Sequence, residues 1–393
     1  MKEGWKIVKL GEVCDFEGGS QPPKSEWTKE PCEGYVRMLQ IRDFTQSRKA
    51  DVEYVKISKK LRLCKANDIL IGRYGASVGK ILTGLEGAYN VAIIKSIPDE
   101  TRIIKSYIRR FFEAPNFQSL LFKVCTQRAA QAGFSKEDIV DTEFSLPPLE
   151  EQHRIVSILD ASFEKIDALK KNAEENLKNA KALFQQVLAQ ELKPKEGWVE
   201  KKLGEVCEIS RGRSKHRPRN DKRLYGGNIP FIQTGDIRDA CGGIITTYKQ
   251  TYSELGLLQS RLWKKGTICI TIAANIGETA ILGFDACFPD SVVGIYPNDN
   301  TLNYLYVNYY LNSIKSYIDN QAYGAAQKNI NLVIIENLKI SFPANIEEQH
   351  RIVQTLDTLS EKCRRLEQIA QQTIRECDAL KQSILRQAFS GEL

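Results

Sequence analysis

The stretch "RGRSKHRPRNDKR" at 211–223 packs seven Lys and Arg residues into thirteen positions. It holds Gly and Pro and no apolar periodicity, which predicts a flexible loop. A basic loop beside an anionic duplex gains affinity by releasing condensed counterions. Arg211, Arg213, Lys215, Arg217 and Arg219 are candidate phosphate contacts, the alternative being a solvated run of surface charge. Reading base edges takes a second chemistry, side chains that offer paired donors and acceptors from positioned loops. Gln40, Arg42, Arg73, Tyr74, Ser77, Gln127 and Arg128 are candidates for it in the N-terminal half. Gln233, Thr234, Arg238, Asn275, Gln327, Lys328 and Asn329 are candidates in the C-terminal half. No stretch of the first half matches the basic cluster, since "EGGSQPPKSEWTKEP" at 17–31 is near neutral. The two halves would meet a nucleic acid differently.

Bond-making chemistry finds little support. "GRYGASVGKI" at 72–81 invites a phosphate-binding loop, but Tyr74 stands where that motif needs Gly, and Ile81 where it needs Ser or Thr. Gly72, Gly75 and Gly79 are better explained as turn glycines between strands. There is no Asn/Asp-Pro-Pro-aromatic motif for methylating adenine, and no Gly-rich strand-to-helix fingerprint for S-adenosylmethionine. The ten cysteines are scattered without a Cys-x-x-Cys, which argues against zinc. Two of the three histidines, His153 and His350, sit at matching places in "EEQHRIV" phrases. Glu150 and Glu151, like Glu347 and Glu348, suit the positive end of a helix dipole. Glu150, Gln152, His153, Glu347, Gln349 and His350 are candidates for structural or subunit-docking contacts. The chain reads as non-catalytic.

The elements that would hold these residues are written twice. "EGWKIVKLGEVC" at 3–14 returns as "EGWVEKKLGEVC" at 196–207, "IRD" at 41–43 returns at 237–239, and "ASVGKI" at 76–81 is echoed by "ANIGET" at 274–279. "SLPP" at 145–148 becomes "SFPA" at 341–344, and "EEQHRIV" recurs just after. The order is kept, so the whole unit is duplicated. This alignment pairs Arg42 with Arg238, Asp43 with Asp239 and Gln131 with Gln327, shared positions that fit scaffold or phosphate contacts. Arg73 against Thr271, and Arg128 against Gly324, differ and fit base identity.

Each half opens with a mixed segment of short apolar runs bounded by Gly, Asn and Asp, which predicts strands, with helical stretches between. A proline stop follows, and then some forty residues without Gly or Pro, which predicts a long helix. The expected divisions are a domain at 1–148, a helix at 149–192, a second domain at 193–345 and a second helix at 346–393. The helices carry apolar seams with alternating spacings of four and three. In the first the seam is Ile155, Leu159, Ser162, Ile166, Leu169, Ala173, Asn176, Ala180, Leu183 and Val187. In the second it is Ile352, Leu356, Leu359, Cys363, Leu366, Ala370, Thr373, Cys377, Leu380 and Ile384. The expected fold class is α+β (mixed): two homologous domains joined by two helices in an antiparallel coiled coil, in a pseudo-twofold, nearly circular arrangement.

Apolar and charged fractions of 42% and 27% suit a soluble globular protein. No stretch reads as a membrane span or signal peptide, and the cysteine usage fits a reducing cytoplasm. The net charge of +7 permits an acidic partner without naming one.

The doubled "P-x-x-EEQHRIV-x-x-LD", the "W-x-x-x-x-LGEV-C" opening of each half, the run "GAAQKNIN" at 324–331 and the terminal "ILRQAFSGEL" resemble the specificity subunits of type I restriction-modification systems. The resemblance covers the whole chain. It implies that each domain is a target recognition domain reading one half of a split, asymmetric double-stranded DNA sequence. It implies that the helices dock two adenine-methylating subunits, with restriction and translocation subunits in the larger assembly. S-adenosylmethionine, ATP and Mg would then reside on those partners, with no cofactor on this chain. A specificity partner of a fused methylase-nuclease, and a two-domain protein-binding scaffold that never meets DNA, remain open alternatives.

Overall fold

The computed structural model describes all residues except 1–3, 47–50, 128–132, 274 and 324–329. The chain divides into two compact units, 1–174 with 371–393, and 175–370. The first unit thus takes both ends of the sequence. Two helices run far longer than the rest, Leu149–Glu191 with 43 residues and Ile346–Ser390 with 45. Each unit contains a mixed domain and a portion of both helices.

In the first unit, strand Lys6–Lys9 pairs antiparallel with Glu143–Leu146, so the opening segment seals the strand that leads into the long helix. A four-stranded sheet follows in the order Cys14–Gly18, Ile93–Pro98, Ile69–Gly72, Ile81–Leu82. A five-stranded sheet has the order Trp27–Thr28, Glu53–Lys56, Tyr35–Leu39, Gly87–Tyr89, Leu63–Cys64. Helices Lys105–Glu113 and Pro115–Gln127 cover the core, where Phe111, Phe112 and Phe117 pack on one another.

The second unit repeats this plan. Trp198–Lys202 pairs antiparallel with Lys339–Pro343. Its larger sheet has the order Cys207–Arg211, Val292–Pro297, Ile268–Thr271, Thr279–Leu282, Ile244–Ile245. Tyr225–Phe231 pairs with Gln250–Tyr252 in a separate ribbon.

The "LGEV-C" repeat now has a physical reason. Leu10 and Leu203 are fully buried, and their N–H groups donate to Thr142 O at 2.9 Å and Leu338 O at 2.8 Å. Glu12 and Glu205 accept from the backbone N–H of Lys9 and Lys202, closing the same small turn. Cys14 and Cys207 start the next strand as buried side chains. Burial pushes both thiols up to about 12, so neither is poised for chemistry.

Within the first unit the helices run antiparallel. Lys170 pairs with Asp378 at 2.6 Å, Lys381 with Asp167 at 2.5 Å, and Arg154 donates to Leu393 O at 2.8 Å, so one number falls as the other rises. The seam differs from the expected one in half of its positions. Every seventh residue is buried as expected: Leu159, Ile166 and Ala173 on one helix, Cys377 on the other. The second row lies four residues on, not three. Phe163 is buried and Lys170 half-buried, whereas Leu169 is 56% and Leu380 49% exposed. In the second unit Ala180, Leu188, Cys363 and Ala370 are buried, while Leu183 is 45% and Leu366 51% exposed. Small side chains at every seventh position let the helices approach closely. The adjoining row is then filled by Phe163 and by lysine stems whose ammonium groups reach Asp across the pair.

Candidate nucleic-acid interface

The basic loop is tethered at both ends and in its middle, which corrects the expectation of a flexible segment. Gly212 N donates to Val292 O at 2.9 Å, and a side chain there would strike Phe288 O at 2.3 Å. His216 N donates to Gln259 Oε1 at 3.1 Å, and Ser260 Oγ to Arg213 O at 2.9 Å. Several of its charges are already matched. Arg219 donates to both carboxylate oxygens of Asp290, at 2.6 and 2.9 Å. Asp221 accepts from Arg223 at 2.6 Å and lies 2.9 Å from His216 Nε2. The bonds from Arg223 hold the Asp221 carboxyl well below the usual carboxylate range. Arg217 donates to the carbonyls of Ser214 and His216. Arg211, which ends its strand, makes only a long 3.4 Å contact to Ile330 O. Among the described residues, Arg211, Arg213, Lys215, Arg217 and Lys222 are exposed with no acidic partner, and of these Arg213, Lys215 and Lys222 also make no side-chain hydrogen bond to a carbonyl. The phosphate-binding capacity of this loop rests mainly on those three.

The other candidates scatter in role. Gln40 and Arg42 converge on one carboxylate, that of Glu53, at 2.8 and 2.7 Å. Arg73 spends its guanidinium on Phe134 O at 3.1 Å and Val91 O at 3.4 Å, beside the Tyr74 ring. These two bonds brace the loop that Arg73 belongs to. Ser77 lies half-buried in the turn Gly75–Ser77, and Gln127 is exposed at its helix end. Gln233 and Thr234 open the helix Thr234–Ala240, where Arg238 pairs with Asp239 at 2.9 Å. Asn275 is exposed, and its carbonyl accepts from Thr271 Oγ1. Arg128, Gln327, Lys328 and Asn329, with Gln131 and Gly324, lie outside the described residues.

Backbone geometry also corrects the alignment of the halves. Asp43 Oδ2 accepts from Gln40 N at 2.8 Å, and Asp236 Oδ2 from Gln233 N at 2.9 Å. The matching pairs are thus Gln40 with Gln233 and Asp43 with Asp236. The second "IRD" falls one helical turn later, so Arg42 does not correspond to Arg238, nor Asp43 to Asp239. Likewise Arg73 N donates to Ala92 O and Ile272 N to Ser291 O, so Arg73 matches Ile272 and not Thr271. Helix starts and strand registers fix equivalence where a three-letter match misleads.

The "EEQHRIV" phrase divides into a buried and an exposed face. Gln152 is fully buried: its Oε1 accepts from Ile104 N at 2.9 Å, and its Nε2 donates to Arg102 O at 3.0 Å and Pro147 O at 2.9 Å. Gln349 makes the matching set with Asn303 N at 2.9 Å, Thr301 O at 2.9 Å and Pro343 O at 2.8 Å. Both amides are buried and engaged in clamping the domain to its helix. The aspartate that closes the phrase has a similar task. Asp160 holds Arg110 at 2.6 Å, and Asp357 holds Tyr309 Oη at 2.5 Å. Glu150, His153, Glu347 and His350 stay exposed. His350 lies 4.0 Å from Glu347 and borders a surface depression of about 510 Å³ with Gln354 and Glu361.

Among the described residues, no group of three or more His, Cys, Asp or Glu is gathered to hold a metal, and no helix is long and apolar enough to cross a membrane. All ten cysteines are free.

This duplicated domain-and-helix architecture is shared with solved structures. A chain from a study of complex assembly and conformational transition of the type I R-M system superposes with a TM-score of 0.80 at 22% identity, over 100% of this chain and 99% of that one. The HsdS subunit from Thermoanaerobacter tengcongensis gives 0.56 at 22% identity, over 100% and 98%. A family model described as "Type I restriction modification DNA specificity domain" matches residues 2–179 and again 195–376. The type I restriction enzyme EcoBI specificity subunit of Escherichia coli is 25% identical over 430 aligned residues, covering 100% of this chain and 86% of that protein. The MjaVIII specificity subunit of Methanocaldococcus jannaschii is 24% identical, covering 100% and 93%. The chain belongs to the type I restriction-modification DNA specificity family, and carries two copies of its domain.

Proposed function

We propose that the chain is the DNA-reading subunit of a type I restriction-modification complex, in which each domain recognises one half of an asymmetric, split target. One observation carries this reading: two domains of one fold, each clamped by a buried glutamine to a long helix, present different polar side chains at matching outer positions. Matched scaffolds with unlike surfaces suit the reading of two unlike half-sites.

The helix pair serves as the dock for two adenine-methylating subunits. Its exposed leucines support this role. Leu169 and Leu380 lie to one side of the seam in the first unit, Leu183 and Leu366 in the second, each an unpaired apolar side chain on an otherwise charged helix. The exposed His153 and His350 add hydrogen-bonding positions. Restriction subunits join this assembly. The chain itself performs no chemistry, S-adenosylmethionine, ATP and Mg belong to the partners, and the complex works in the cytoplasm.

The test is methyl transfer from labelled S-adenosylmethionine to DNA. The purified chain alone should give none, and its addition to the methylating partner should give site-specific adenine methylation. Turnover by the chain alone, or methylation without sequence preference in the complex, would overturn the reading.

A further inference from the structure

Both domains turn a short helix out of a strand at the same place, Ile41–Thr45 after Tyr35–Leu39 and Thr234–Ala240 after Tyr225–Phe231. A glutamine precedes each helix and bonds a side chain on the neighbouring strand. Its partner occupies the same register in both: Glu53 lies across from Met38, and Gln250 across from Phe231. The chemistry differs. Glu53 accepts from Gln40 Nε2 at 2.8 Å, Arg42 Nη2 at 2.7 Å and Lys24 Nζ at 3.1 Å. In the second domain Gln233 Nε2 meets Gln250 Oε1 at 2.5 Å, and the position of Arg42 is Gly235.

The layering in the first domain is informative. The Glu53 side chain is 16% exposed, while Arg42 is 42% and Lys24 69% exposed, so the carboxylate lies beneath and the cations lie at the rim. A carboxylate accepts only, so it turns the Gln40 amide nitrogen inward. Among the described residues, Arg42 gives its side-chain bond to Glu53 alone. The rest of its planar fork is available to a pair of acceptors, which is what guanine O6 and N7 present in the major groove. Among the described residues the Gln233–Gln250 pair bonds no cation, and a free amide edge offers one donor and one acceptor, the complement of adenine N7 and N6.

We infer that the Glu53 cluster is a base-reading site of the first domain, in which Arg42 selects guanine and Glu53 positions it, and that the Gln233–Gln250 pair at the same place in the second domain selects adenine. The inference rests on the DNA-reading function proposed above and assigns it to particular residues.

The experiment maps methylated sites on a randomised DNA library, using the full chain in complex with its methylating subunits. Arg42→Ala should leave one G·C position of the first half-site unselected, with discrimination there falling about tenfold or more, and should leave the second half-site intact. Arg42→Lys keeps the charge but not the fork and should relax the same position, with non-specific DNA affinity unchanged. Glu53→Gln should weaken that position in part. Gln233→Ala should relax one A·T position in the second half-site only. Matched melting curves guard against loss of fold; because Arg42 is a rim residue, its variants should melt with the wild type. A specific wild-type complex whose Arg42 variants keep the full motif, or lose selectivity at several positions or in the wrong half, overturns the inference and leaves the broader function standing. A wild-type complex without any sequence preference overturns both.

Discussion

Gln152 in the first domain and Gln349 in the second make the same three hydrogen bonds with the same kinds of partner. Glu53 and Gln250, equally well matched in register, do not: one gathers an amide and two cations, the other a single amide. The contrast separates what the duplicated fold must keep from what it is free to change. A buried amide at the junction of domain and helix is costly to alter, because the amide has no access to water and its loss leaves three backbone groups without their partner. A rim side chain can change its chemistry without disturbing the strands beneath it.

The largest expected effect tests the first side of that contrast. Gln152→Leu strands the Ile104 N–H and the Arg102 and Pro147 carbonyls, and should destabilise the chain by about 3 kcal/mol in urea unfolding. Gln349→Leu should cost about the same. A negligible cost at either site would break the equivalence. The next effect concerns an asymmetry, since only the second domain carries the basic loop. Changing Arg213, Lys215 and Lys222 together to Ala should lower non-specific DNA affinity and reduce the slope of log K against log salt by roughly two to three. An unchanged slope would make the loop a solvated surface. Arg219→Ala should do less, because Asp290 already matches that charge.

A third effect bears on the helices. Leu169→Asp with Leu380→Asp should leave the chain's own stability within about 0.5 kcal/mol, since both residues are exposed, yet weaken capture of the methylating subunit in a pull-down. Retained capture would remove those leucines from the dock. The smallest effect is at Asp221. Its carboxyl is held below its ordinary range, chiefly by Arg223, so the stabilisation it gives the loop is fully present above about pH 4 and is lost as the pH falls through the depressed value. DNA affinity should therefore show no Asp221-dependent change between pH 8 and pH 5. Asp221→Asn should raise the salt slope by less than one, as Arg223 loses its anionic partner.

Much of the architecture was legible in the sequence. The repeat gave two matched domains, the absence of Gly and Pro over some forty residues gave two long helices, and the seven-residue spacing of Leu159, Ile166, Ala173 and Ala180 gave their contact line. The second row of that line was misplaced. Leu169 looks like a better seam residue than Lys170, and only the close approach allowed by Ala and Cys decides between them. The site was less legible. Gln40, Arg42 and Gln233 were identifiable by type, but Glu53 and Gln250 were not, because they reach the site through cross-strand register that no local motif encodes. Gln152 and Gln349 were visible as repeated polar residues. Their burial, and hence their structural role, follows largely from backbone groups some fifty residues away in the chain, two of the three partners in each case. The matching "IRD" triplets were a false guide because a helix start, set by an aspartate cap, fixes the alignment instead.

The central claim is that the two domains read separate halves of one DNA target. It is tested most directly by replacing residues 1–148 with the corresponding domain of another specificity subunit and mapping methylated adenines made by the complex. The account expects one half of the methylated sequence to change while the other half and the spacer stay as they were. A change in both halves, or in neither, would contradict it.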